Sequence, residues 1–150
     1  VADVFRKGPG HELRSGSTYG GHTVACAATL ANIAYIEDNN LVEQAAEKGE
    51  YMRQKLESLK KHSIVGEVRG IGMLRAVELM AERDKRKKLD PKLGVGNFIR
   101  RWCWDNGMIL RNNGEILVIA PALIITNAEI DMIVDLLDQA LSVAGKYFNF

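Results

Sequence analysis

The chain has 150 residues, 47% hydrophobic and 26% charged, a balance that supports a buried core and excludes wholesale disorder. Its formal charge of +1 at pH 7 supplies no bulk attraction to nucleic acid or to an anionic membrane surface, and no apolar run approaches the roughly 20 residues of a spanning helix. Cys26 and Cys103 form no CxxC, and His11, His22 and His62 do not join them at metal-ligand spacing; no zinc site is expected, and both thiols are expected reduced, in a cytoplasmic protein.

Val1 opens an amphipathic-looking stretch to Arg6 with no cap before it, which reads as a piece of a longer chain, although removal of a start methionine gives the same beginning. Gly8, Pro9, Gly10, Gly16, Gly20 and Gly21 make a loop. Val24, Ala27, Ala28 and Ala31 then recur at helical spacing in a segment that ends near Asp38-Asn39-Asn40. Asn40 and Glu43 predict a capping box for a second helix, with Leu41, Ala45, Met52, Leu56 and Leu59 on one face and Lys60, Lys61 and His62 at its close.

From Ile64 to Leu79, Val65, Val68, Leu74, Val77 and Leu79 alternate with Gly66, Gly70 and Gly72, which predicts two strands with a glycine-dependent bend. The charged run from Met80 to Leu93 reads as a solvated connection. Val95, Phe98, Ile99 and Trp102 predict a helix that stops at Asn106-Gly107. Met108–Arg111 and Glu115–Ile119 read as a hairpin around Asn113-Gly114. Thr126 and Glu129 predict a capping box, followed by a helix with Ile130, Ile133, Val134, Leu137 and Leu141 on its inner face. The sum is α/β: helices packed on a small, partly antiparallel sheet.

Four segments hold residue types that carry chemistry. Ser15-Gly16-Ser17-Thr18-Tyr19-Gly20-Gly21-His22 offers close backbone N–H groups and hydroxyl donors just before a helix, which suits a phosphate. It has no Walker lysine, and a glycine turn with helix caps, common before helices, is the simpler reading. Arg111, placed at a strand end, has a guanidinium fork that matches a carboxylate, or is a solvated surface arginine. The glycines of Val68-Arg69-Gly70-Ile71-Gly72-Met73 serve a ligand or, more simply, a bulge or tight turn; Arg69 has the means to pair with a core acid. Arg83 to Lys88 is diluted by Glu82 and Asp84 and has no interleaved aromatic residue, so it reads as a solvated face rather than a nucleic-acid site. His22 has no Ser or Cys partner and reads as a capping or packing residue.

Gly16-Ser17-Thr18-Tyr19-Gly20-Gly21-His22 with Val24-Ala25-Cys26-Ala27-Ala28, Asn40-Leu41-Val42-Glu43 with Ala46-Glu47-Lys48-Gly49, Val65-Gly66-Glu67-Val68-Arg69-Gly70-Ile71-Gly72-Met73, and Asn106-Gly107-Met108-Ile109-Leu110-Arg111 with Ala120-Pro121-Ala122-Leu123-Ile124-Ile125-Thr126 stand in an order that resembles the class III aminotransferases. The resemblance covers nearly the whole chain. It implies the type I pyridoxal-phosphate-dependent transferase fold, with residues 1–38 the end of the large cofactor-binding domain and its connecting helix, and residues 39–150 the small carboxy-terminal domain.

The resemblance further implies pyridoxal 5'-phosphate as cofactor, a homodimer, and amino-group transfer from an amine or ω-amino acid to a 2-oxo acid such as pyruvate. By position, Thr18 gives its hydroxyl and Ser17 its backbone N–H to the cofactor phosphate in the partner subunit's site. Arg111 aligns with the mobile arginine that holds the substrate carboxylate and swings away for apolar amines. Three positions depart from the pattern: Thr23, Ala122 and Asn112 each replace a proline, and threonine is expected to cap the helix that follows His22. The Asn112 change bears on the aim of Arg111. The family's Schiff-base lysine and the aspartate that faces the pyridinium nitrogen lie upstream of the Gly16–His22 segment, so no transamination is expected of this chain by itself. Alternatives are an inactive fragment or structural dimerisation domain, a 7,8-diaminopelargonate-forming transaminase, and, less well matched at Ser17–His22, a mutase or lyase of the same fold.

Overall fold

The computed structural model describes residues 2–13 and 15–150, so Val1 lies outside the described residues. The chain divides into two compact units, one ending at Asn39 and one running from Asn40 to Phe150.

In the first unit, the described elements are a short 3-10 helix (Ala2–Arg6) and helix α1 (Thr23–Asp38). His22 caps α1: its ring Nδ1 accepts the Ala25 N–H at 3.3 Å. The cap expected of Thr23 is thus supplied one residue earlier, and Thr23 is already helical. The helix expected from Val24, Ala27, Ala28 and Ala31 forms, but α1 buries none of its residues, and Val24, Leu30, Ile33 and Tyr35 are exposed. A helix apolar on every side is one made to be covered all round.

The second unit begins with helix α2 (Leu41–Glu57) and a 3-10 turn, Ser58–Lys61. The capping box expected at Asn40 does not form. Asn40 is left-handed, with φ 49°, and its side chain makes no capping bond; an N-cap needs an extended backbone to aim its oxygen at the first turn, and asparagine tolerates the left-handed turn instead. Leu41, Met52, Leu56 and Leu59 are buried as the spacing required.

Strands β1 (Val65–Ile71) and β2 (Leu74–Glu82) form a hairpin, a short β3 (Lys87–Lys88) pairs with the end of β2, and helix α3 (Val95–Asp105) follows. Strands β4 (Arg111–Asn113) and β5 (Ile116–Ile119) and helix α4 (Asn127–Phe148) complete the unit. The sheet order is β1-β2-β5-β4, and every pairing is antiparallel. One sheet face carries Val68, Val77, Leu79, Leu117 and Ile119 into a core shared with Met52 and Leu56 of α2, Ile99 and Cys103 of α3, and Ile130, Leu137 and Leu141 of α4. Each fully buried aliphatic side chain contributes about 1.5–3 kcal/mol. Burial pushes the Cys103 thiol up to about 11, so it stays protonated and inert. The capping box at α4 forms as expected: Thr126 Oγ1 accepts the Glu129 N–H at 3.2 Å, and Glu129 Oε2 accepts the Thr126 N–H at 2.8 Å.

Two further expectations are corrected. The charged run from Met80 to Leu93 is not simply a solvated connection. Met80 and Leu89 are buried, and Arg83 donates to the carbonyls of Val65, Lys60 and His62 at 2.8, 2.6 and 3.1 Å, sealing the turn before β1. The charge count concealed two core residues and an arginine used on backbone oxygens. The second hairpin is shifted by one residue: Asn113 pairs with Ile116, so Gly114-Glu115 is the turn and Arg111 begins its strand rather than ending one. Met108–Leu110 stays outside the ladder because the Met108 N–H is spent on the Cys103 carbonyl, at 2.9 Å, closing α3.

Polar links fasten α4 to α2 and the turn after it. Tyr51 Oη donates to Asp131 at 2.9 Å, Lys55 meets the same carboxylate at 2.9 Å, and Asp138 meets Lys61 at 2.7 Å and His62 Nε2 at 2.5 Å. Burial pushes the Asp138 carboxyl up, but its bonds from Lys61 and His62 outweigh this and hold it below the usual carboxylate range. A carboxylate depressed on folding stabilises above its unfolded value, about pH 4, and that contribution is lost as pH falls through the lower folded value. Asp138→Asn is therefore expected to lower the denaturation midpoint at pH 7. The gap from wild type should narrow on acidification below about pH 4; a gap independent of pH would sink this account.

Candidate functional site

The structure gives the two groups of predicted site residues separate settings, one in each unit. In the first, consecutive turns shape Ser17–His22: the Gly20 N–H donates to the Ser17 carbonyl at 2.8 Å, and the His22 N–H donates to that of Tyr19 at 3.1 Å. Ser17 and Thr18 are exposed. The Ser17 N–H and both hydroxyls have no hydrogen-bond partner among the described residues. Uncommitted hydroxyl and amide donors just ahead of a helix N-terminus are the chemistry that a phosphate monoester requires. The residues present fit the phosphate end of pyridoxal phosphate. They include no lysine at this turn, so they fit only that end.

In the second unit, the sheet face opposite the core is a lattice of cross-strand rows. Arg69, Ala76, Val118 and Arg111 stand in register across β1, β2, β5 and β4. Beside them run Glu67, Glu78, Ile116 and Asn113. Directly opposed residues share a face, so arginines begin and end one row.

The arginines of this unit differ in what occupies them. Arg69 is held by Glu78 and, at 3.4 Å, by Glu67; its acid partners lie on the open face and not in the core. Arg75, which sequence reasoning passed over, is buried and donates to the carbonyls of Gly70 and Gly49 at 2.9 and 2.8 Å, with Nε unpartnered. Arg83 is spent on the three carbonyls described above. Arg111 is exposed and makes no ion pair or hydrogen bond among the described residues. Its fork is available for a carboxylate.

Sequence reasoning also missed what surrounds Arg111. Asn112 Nδ2 donates to Asn97 Oδ1 at 3.1 Å and to the Gly114 carbonyl at 2.8 Å, and Glu115 Oε2 accepts the Gly96 N–H at 2.6 Å. The nearest signal was the acidic residue after Asn113-Gly114, but nothing local ties it to a helix that starts some twenty positions earlier. Among the described residues, no three His, Cys, Asp or Glu side chains are grouped to hold a metal ion, and no helix is long and apolar enough to cross a membrane.

Comparison with known proteins puts these features in context. Residues 1–141 match the family described as Aminotransferase class-III. The chain is 37% identical over 142 residues to the putrescine–pyruvate aminotransferase of Pseudomonas aeruginosa, covering 94% of this chain and 30% of that protein. It is 34% identical over 126 residues to the adenosylmethionine-8-amino-7-oxononanoate aminotransferase of Geobacter sulfurreducens, covering 84% and 28%. A crystal structure of a transaminase from the marine bacterium Virgibacillus superposes with a TM-score of 0.89 at 31% identity, over 98% of this chain and 34% of that one. The chain spans about a third of the length of these relatives.

Proposed function

The chain belongs to the class III aminotransferase family, a pyridoxal-phosphate-dependent family, and from that premise we propose that the protein of which it forms part moves an amino group from an amine or ω-amino acid to a 2-oxo acid such as pyruvate. Residues 1–38 form the end of the large cofactor-binding domain and residues 39–150 the small carboxy-terminal domain of a cytoplasmic homodimer. Bound pyridoxal phosphate supplies the electron sink for the chemistry. The Thr18 hydroxyl and the Ser17 N–H hold its phosphate in the partner subunit's site, and Arg111 holds the carboxylate of the acceptor.

The observation that carries this reading is the exposed guanidinium of Arg111, unpaired among the described residues, in a cross-strand row whose other arginine, Arg69, is held by Glu78. The likeness to a putrescine–pyruvate aminotransferase supports pyruvate as acceptor and a diamine as donor. The likeness to the 8-amino-7-oxononanoate enzyme supports a second reading for the substrate, 7,8-diaminopelargonate formation. The catalytic lysine belongs to the remainder of the longer protein, and the isolated chain is inactive.

The phosphate role is tested with Thr18→Val in the full-length protein. Loss of one charge-assisted hydrogen bond is expected to weaken pyridoxal phosphate binding about tenfold, measured by cofactor titration after dialysis. Unchanged affinity would remove Thr18 from the phosphate site.

A further inference from the structure

We infer that Asn112 is a positioning residue that sets the direction in which Arg111 leaves the sheet, by locking strand β4 to helix α3. The inference rests on the reading of Arg111 as the carboxylate clamp.

Strand β4 has three residues, lies at the sheet edge and, among the described residues, pairs only with β5. So short an edge strand, bonded on one side, is free to roll and fray unless its side chains hold it. Neighbouring side chains on a strand leave by opposite faces. Asn112 stands opposite buried Leu117, and Arg111 opposite Val118 on the open face. Leu110, just before the strand, is buried. Arg111 is thus bracketed by an apolar anchor on one side and a polar anchor on the other.

The polar anchor is built from three contacts. Asn112 Nδ2 bridges Asn97 Oδ1, in the first turn of α3, and the Gly114 carbonyl, at 3.1 and 2.8 Å. Glu115 Oε2 accepts the Gly96 N–H at 2.6 Å, doing for α3 what its cap residue Gly94, which has no side chain, cannot. A Cβ added at Gly96 would lie 2.2 Å from the Gly114 carbonyl oxygen, so the hairpin tip and the helix meet backbone to backbone, at a distance only glycine allows. A clamp must hold its donors within fractions of an ångström to act on a bound carboxylate, and this docking supplies that rigidity from the face opposite Arg111.

The test uses the full-length protein with cofactor bound. Asn112→Leu keeps a half-buried side chain of similar size and removes the donor. It is expected to raise KM for the 2-oxo acid about three- to tenfold, to leave the half-reaction with an uncharged amine within about twofold, and to speed amide hydrogen exchange at Arg111–Asn113. Asn97→Leu should reproduce this, and Asn97→Asp, which keeps the acceptor, should restore the wild-type KM. Equal losses with charged and uncharged substrates, or an unchanged KM despite faster exchange, overturn the proposal and leave Asn112 a purely structural residue. Arg111→Ala is the control: if it spares KM for the 2-oxo acid, the clamp reading itself fails and the positioning role falls with it. If it raises KM while Asn112→Leu does not, only the positioning role fails.

Discussion

Gly49→Ala is expected to destabilise the protein by about 2–3 kcal/mol, although alanine is favoured over glycine in a helix interior by about 1 kcal/mol. Gly49 lies in the middle of α2 and is buried. A Cβ there would stand 2.4 Å from both the carbonyl carbon and oxygen of Gly72, in the bend between β1 and β2. The obstacle is backbone, not the flexible end of a side chain, so helix and hairpin must separate. Separation strains a further contact, because Arg75 Nη2 donates to the Gly49 carbonyl at 2.8 Å from a buried position. A buried guanidinium that loses an acceptor costs more than a neutral group in the same place, and Arg75 already has an unpartnered Nε. Chemical denaturation of the variant against wild type measures the sum; a variant as stable as wild type would show that the bend yields and that the propensity term governs.

Gly49 also shows where sequence reasoning stops. Periodicity made the buried faces of α2, α3 and α4 legible, because Met52, Leu56, Ile99, Ile130, Val134 and Leu137 repeat at helical spacing and do face the core. The Thr126–Glu129 box was legible for the same reason: both partners lie within one turn. What escaped was contact between distant positions. Nothing near Gly49 marks its meeting with Gly72, nothing near Arg83 marks the Lys60, His62 and Val65 carbonyls, and nothing near Asn112 marks Asn97. Local rules also failed where the backbone chose another well, as at left-handed Asn40. For the candidate site, Ser17, Thr18 and Arg111 were named from the sequence, but that Arg111 is unpaired while Arg69 is paired depends on the register of four strands, which no short motif encodes.

Arg111→Ala is expected to raise KM for a 2-oxo acid about 10- to 100-fold in the full-length protein, the effect of losing a charge-assisted, two-pronged contact worth about 1.5–3 kcal/mol. The direction follows from availability. Arg69, in the same cross-strand row, faces Glu78 and Glu67, whereas Arg111 faces Val118 and has no acid among the described residues. Of the two arginines in that row, Arg69 is neutralised and Arg111 is not, so a carboxylate that approaches it gains an uncompensated guanidinium at Arg111. Because the side chain is exposed and unpartnered, its removal should leave the denaturation midpoint nearly unchanged, within about 0.5 kcal/mol. Kinetics and stability therefore separate, the reverse of what Gly49→Ala does. The half-reaction with an uncharged amine should change little, since it offers no carboxylate to hold. Arg111→Lys should recover part of the loss: an ammonium keeps the charge but not the planar fork. If the alanine variant slows charged and uncharged substrates alike, Arg111 supports the hairpin rather than the acceptor, and the selectivity for a 2-oxo acid must come from other residues.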